Sequence, residues 1–146
     1  MTRPAAAAAV VLALVAGCGG GGGGLSKEDY AKQADAICAK YNRKVEALGT
    51  PTSLGDIGPF ADKAVALTRK GNDELRDLKP PKSEEQTAKA WLAQNELVAK
   101  AVEALSAAAK KSDKAGIQAA LARGRRANKT ANGLARDLGL RVCARG

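Results

Sequence analysis

Few groups in this 146-residue chain are able to do covalent chemistry: three cysteines, Cys18, Cys38 and Cys143, and no histidine. Without histidine there is no Ser-His-Asp triad, no Glu-X-X-His pair of the kind that holds di-iron in helical bundles, and no His-ligated zinc or haem. The cysteines lack the Cys-X-X-Cys redox spacing, and neither a Cys-X-X-Cys-His haem attachment nor a dinucleotide fingerprint occurs. The adjacent carboxylates Glu84 and Glu85 stand where a helix begins, and the helix dipole favours negative charge there, so they read as helix-start stabilisers and not as an acid/base pair. These residue types predict a protein that is not an enzyme and that carries no metal or cofactor. What the cysteines predict instead is attachment and cross-linking.

Cys18 follows twelve apolar residues, Ala5 to Ala16, with one positive side chain, Arg3, ahead of them. That is the layout of a secretory signal, and at 1.5 Å per residue the run reaches only about 18 Å, short of a membrane span. Val15-Ala16-Gly17-Cys18 resembles a bacterial lipobox, in which the cysteine is lipidated and becomes the first residue of the mature protein; Val15 stands where leucine is more usual. The cysteine count agrees, because lipidation of Cys18 leaves Cys38 and Cys143 as an even pair in a compartment where disulfides persist. Several acyl chains give durable anchoring where one is marginal. Gly19 to Gly24 form a six-glycine tether with a reach of about 12 to 15 Å, and no Gly-Lys-Ser/Thr closes it as a P-loop. The expected organisation is a signal peptide over 1–17, lipidated Cys18 and tether over 18–25, and a folded domain over 26–146.

That domain must be helical. It is alanine-rich and poor in aromatic and β-branched residues, and four segments carry apolar stripes at helical spacing. The first opens at Ser26 with Asp29 three residues on, and is stopped by Gly49 and Pro51. The second begins at Gly58-Pro59, where proline suits a first helical position, and ends at Pro80-Pro81. The third opens on a capping box of Ser83 and Gln86; the fourth follows a break at Lys111 to Asp113 and ends at Gly139. Four such helices with short connections predict an all-α, antiparallel up-down-up-down four-helix bundle. In that topology helix four ends level with the start of helix one, about 16 Å from Cys38, and the five residues from Gly139 to Cys143 span this gap when extended. A Cys38–Cys143 disulfide is therefore predicted, with the C-terminal tail folded back on helix one. Closing a loop of about 100 residues contributes up to about 4.7 kcal/mol in the chain-entropy model.

Counted outward from the third turn, Asn95 and Asn128 fall at one height, with Thr68 and Cys38 near it. Asparagines on an apolar stripe need partners, so mutual hydrogen bonding in a register-setting polar layer is expected, with a mid-bundle ligand pocket as the alternative. Charge is concentrated at the other end of the chain: of the net +9, the segment from Lys110 onward holds ten basic residues and two acidic ones. Lys111, Lys114, Arg125, Lys129 and Arg136 cluster on the polar face of helix four, and Arg141 and Arg145 follow in the tail. This strip is a solvated face that could also meet anionic lipid, an envelope polymer or an envelope protein beside the anchored membrane. Nucleic acid is not expected, because the chain is exported and no aromatic residues interleave the charges.

With its lipobox, the segment Ala34-Asp35-Ala36-Ile37-Cys38-Ala39 and the closing Gly139-Leu140-Arg141-Val142-Cys143, the chain resembles small helical lipoproteins of high-GC actinobacteria. The resemblance implies a helical fold and a place on the outer face of the cell membrane, and it carries over no catalytic or binding residue. Two readings of function follow. The stripes predict a tight core, which favours a non-catalytic structural or interaction module; a small-ligand carrier would instead show an internal cavity near Asn95 and Asn128.

Overall fold

The computed structural model describes residues 23–145. Signal peptide, Cys18 and most of the glycine tether lie outside the described residues. The fold is all-helical: α1 (Lys27–Glu46), α2 (Leu54–Asp77), α3 (Glu85–Lys110) and α4 (Lys114–Asp137), with short 3-10 turns at Lys82–Glu84 and Cys143–Arg145. The four helices run up, down, up and down. α3 packs along both α2 and α4, α1 lies against α2, and the C-terminal turn bridges α4 and α1. No helix among the described residues is long and apolar enough to cross a membrane.

Three of the four helices start beside a side chain that pairs with backbone N–H groups at the turn. Ser26 Oγ accepts from Asp29 N at 3.1 Å, and Asp113 accepts from Gly116 N at 2.9 Å. α2 begins four residues earlier than Gly58-Pro59 suggested. The Asp56 carboxylate there collects Ser53 N (2.9 Å), Ser53 Oγ (2.8 Å), Thr52 N (3.3 Å) and Thr52 Oγ1 (3.0 Å). These donors outweigh the backbone bond that Pro59 cannot make inside the helix. The Ser83 capping box does not form either: Lys82–Glu84 is a 3-10 turn, α3 starts at Glu85 without a side-chain cap, and Glu84 is drawn instead to Lys27 at 2.7 Å.

The helix ends are just as local in origin. Gly139, at φ 78°, closes α4 in a Schellman turn, with Leu140 N bonded to Ala135 O (2.8 Å) and Gly139 N to Arg136 O (2.9 Å). α3 ends in the same way with Ser112 at φ 53°, where Asp113 N meets Ala108 O at 2.9 Å.

The core gathers at the pole where the chain enters. Trp91, Tyr30, Leu138 and Leu140 are its largest fully enclosed side chains, joined by Ala34, Leu75, Ala88, Ala131 and Ala135. Leu25 packs on this cluster, and its N–H bonds to Lys79 O at 2.9 Å, which ties the end of the tether to the α2–α3 connection. Away from that pole the buried positions are mostly alanine, so helix approach is close and each residue buries little apolar area.

Candidate ligand cavity, tail latch and basic face

The tail closes on α1 through two adjoining devices. Cys38 and Cys143 form a disulfide, with Cα atoms 5.3 Å apart. One turn before Cys38, the Asp35 carboxylate accepts three consecutive tail amides: Arg141 N at 2.8 Å on Oδ2, and Val142 N at 2.8 Å and Cys143 N at 3.0 Å on Oδ1. Backbone groups that would otherwise need water are thus paired with a charge. The sequence pointed to the cysteines and passed over Asp35. Its signal was the three-residue spacing from Cys38, which puts both on one helical face. Residues 34–39 and 139–143, far apart along the chain, are therefore joined in space.

Above the latch the bundle carries a hollow at mid-height that opens to solvent. A cavity of about 400 Å³ has walls from all four helices and the tail. α1 supplies Ile37, Cys38, Tyr41 and Val45, and α2 supplies Thr68, Gly71, Asn72 and Leu75. Trp91, Asn95 and Val98 come from α3, and Asn128 and Asn132 from α4. The physical reason lies in residue size. Tyr30, Trp91 and Leu138 fill the pole, while at mid-height Gly71, Thr68 and several asparagines stand among the larger Ile37, Tyr41 and Val98 and leave space between them.

The expected polar level therefore exists as a cavity wall. Thr68, Asn95 and Asn128 all line it, and Thr68 Oγ1 donates to its own helix at Ala64 O, 2.9 Å away. Asn72, which the sequence analysis did not single out, is the most enclosed polar residue of this wall at 4 % exposure, and its Nδ2 has no hydrogen-bond partner. It lies one helical turn beyond Thr68, and that spacing was its signal.

A charged cluster fixes the cavity's α1–α2 seam. Tyr41 lies over Gly71, where a Cβ would sit 3.1 Å from the ring, and its Oη donates to Glu74 Oε1 at 2.7 Å. Lys40 Nζ donates to the same carboxylate at 2.7 and 2.9 Å. The Lys40 bond, followed by that of Tyr41, holds the Glu74 carboxyl below its ordinary range, and the same bonds push Lys40 and Tyr41 up. At the far pole Asp62 takes Lys110 Nζ and Ser106 Oγ, each at 2.6 Å, and is likewise lowered, chiefly by Lys110. Among the described lining residues Glu46 and Arg145 are exposed, and Arg145 Nε donates to Arg141 O at 3.0 Å.

Lys111, Lys114, Arg125, Lys129, Arg136, Arg141 and Arg145 are all exposed, and none takes part in an ion pair among the described residues. The acidic residues that form ion pairs lie on α2, on α3 and in the turn before α3. The folded-back tail carries Arg145 away from the chain-entry pole to the cavity rim, so it does not stay with Arg136 near the end of α4. No group of three potential metal ligands occurs among the described residues. Comparison of the chain with protein-family models, curated proteins and solved structures finds no match, so no relative lends it a family or an activity.

Proposed function

We propose that the mature chain is a lipoprotein anchored through Cys18 on the outer face of the cell membrane, and that it binds a small ligand in the mid-bundle cavity without transforming it. The single observation that carries the binding reading is the cavity itself. At about 400 Å³ it is of small-molecule size, as is a hollow of about 470 Å³ beside Tyr30 and Leu92, and what sets it apart is a wall drawn from all four helices that mixes apolar and polar groups. Thr68, Asn72 and Asn95 bring polar groups to a wall that also holds Ile37, Val45 and Val98. The absence of histidine supports binding without catalysis. The basic face of α4 is the surface that would meet anionic headgroups or envelope polymer, and it serves to orient the domain and not to bind the small ligand.

Thermal unfolding of the chain in the presence of a low-molecular-weight envelope extract tests this reading. A ligand at a hundred times its Kd raises stability by about 2.7 kcal/mol. The rise should vanish in Val98→Trp, which fills the cavity. Equal responses in the two proteins, or none in either, count against the cavity as a binding site. The anchor is tested separately by metabolic labelling with palmitate, which Cys18→Ser should abolish.

A further inference from the structure

Resting on the lipoprotein reading above, we infer that the groove between α3 and α4 seats the headgroup of an anionic phospholipid, so that the domain lies on its side against the membrane that anchors it. The groove measures about 330 Å³ and is walled by Leu97, Lys100 and Ala101 of α3 and by Arg123, Arg126 and Ala127 of α4. Leu97 is 47 % exposed, an apolar side chain left outward among three exposed cations. Lys100, Arg123 and Arg126 take part in no ion pair among the described residues. Glu96 and Glu103, the carboxylates nearest to Lys100 along α3, are taken up by Arg69 and Arg76 of α2. After Lys111 the only acidic residues are Asp113 and Asp137, at the two ends of α4. The groove is therefore apolar at its floor and positive at its rim, the complement of an anionic phosphate that stands above a glycerol and the first methylenes of its acyl chains.

The tether favours a membrane over a soluble acidic partner, because it keeps the surface permanently within reach. Leu97 lies twelve residues into α3, about 18 Å along the helix from the pole where the chain enters. A domain standing on that pole would hold the three cations beyond the roughly 8 Å over which a charged surface acts at physiological salt. A domain lying on its α3–α4 side brings them onto the surface, with the exposed Lys129 beside them, and a glycine tether of about 12 to 15 Å allows this posture. At 100° per residue, Arg123 and Arg126 stand on the opposite side of α4 from Asn128 and Asn132, so the side of α4 that walls the mid-bundle cavity faces away from the lipid.

The test measures partition of the full chain carrying Cys18→Ser into vesicles of phosphatidylcholine alone and of phosphatidylcholine mixed with phosphatidylglycerol; binding to the neutral vesicles gives the share of the apolar segment before Cys18. The expected result is at least a tenfold preference for the mixed vesicles that fades as salt rises. The triple change Lys100→Gln, Arg123→Gln and Arg126→Gln should remove that preference. Lys32→Gln, Lys63→Gln and Lys70→Gln, which together take the same charge from exposed positions on α1 and α2, should lower it less than threefold. Leu97→Ser should weaken binding to the mixed vesicles about fivefold. Equal losses in the two triple variants, or no preference in the parent chain, overturn the groove as a headgroup seat. An unchanged affinity in Leu97→Ser overturns the apolar contact and with it the sideways posture. Binding of soluble polyglutamate as tight as that of the mixed vesicles, and lost in the groove variant, overturns lipid as the occupant in favour of an acidic polymer. Because Cys18→Ser carries no acyl chain, these outcomes are independent of the palmitate labelling, whose failure overturns the anchor alone.

Discussion

Replacing Asp35 with alanine takes the acceptor away from three successive tail amides, at 2.8, 2.8 and 3.0 Å, and leaves the disulfide next to them in place. A hydrogen bond to a charged group contributes about 1.5–3 kcal/mol, but Arg141 N lies at the surface, so about 1 kcal/mol per bond is the fitting figure, or about 3 kcal/mol for the set. For a domain of this size that corresponds to a fall in Tm of about 10 °C. Asp35→Asn should cost about half as much, because its carbonyl can still take the two amides now bound to Oδ1, whereas its NH2 would face the third donor. Urea denaturation of the oxidised protein measures the total, and amide hydrogen exchange at Arg141, Val142 and Cys143 localises it. If the tail undocks on reduction, the same 3 kcal/mol appears as a less stable disulfide, with a reduction potential higher by about 60 mV. A cost below 1 kcal/mol for Asp35→Ala, with protection of those three amides unchanged, would refute the reasoning. The tail would then be held by the disulfide and the burial of Leu140 alone.

Tyr30 is 1 % exposed and its hydroxyl has no partner, so Tyr30→Phe should raise stability by about 1 kcal/mol in urea denaturation; a loss of that size would reveal a partner for the hydroxyl. Ser112 holds a left-handed conformation at φ 53° that costs a non-glycine residue about 1 kcal/mol, so Ser112→Gly should raise Tm by a few degrees. Gly71→Ala sets a methyl about 3.1 Å from the Tyr41 ring and should cost about 1–3 kcal/mol while loosening the Tyr41–Glu74 bond; a neutral effect would mean that the ring yields freely. Glu74, Asp62 and Asp56 titrate below their ordinary values when folded, so their stabilisation is complete above the ordinary carboxylate range and is lost as pH falls through the lowered values. Lys40 and Tyr41 titrate above theirs, so their contribution is complete below their ordinary values and is lost as pH rises through the raised ones. Glu74→Gln should flatten both limbs of the stability-versus-pH curve, and an unaltered curve would show that the cluster contributes nothing.

The sequence by itself determined the helices, their antiparallel order and the disulfide. Each follows from short-range rules: apolar stripes at 3.6-residue spacing, Ser26 and Asp113 as caps, Gly139 as a stop, and a tail of five residues whose reach could be counted against the rise of α1. The height of Asn95 and Asn128 was legible for the same reason, because residues equidistant from a turn between antiparallel helices must lie level. Where short-range rules competed, the sequence misled. Proline at 59 looked like a helix start until the four donors gathered by Asp56 moved that start upstream, and Ser83 lost its capping role to a 3-10 turn in which Glu84 answers Lys27. Only the tertiary structure decided what lies between the helices. A stripe position says that a residue faces inward, but whether inward-facing residues touch depends on how far the larger ones elsewhere hold the helices apart. Here Trp91, Tyr30 and Leu138 fill one pole, and a hollow remains at mid-height beside Gly71, Thr68 and the asparagines. The same geometry brought Asp35 to the tail amides and gave Asn72 its place in the cavity wall, relations between distant segments that no local pattern encodes.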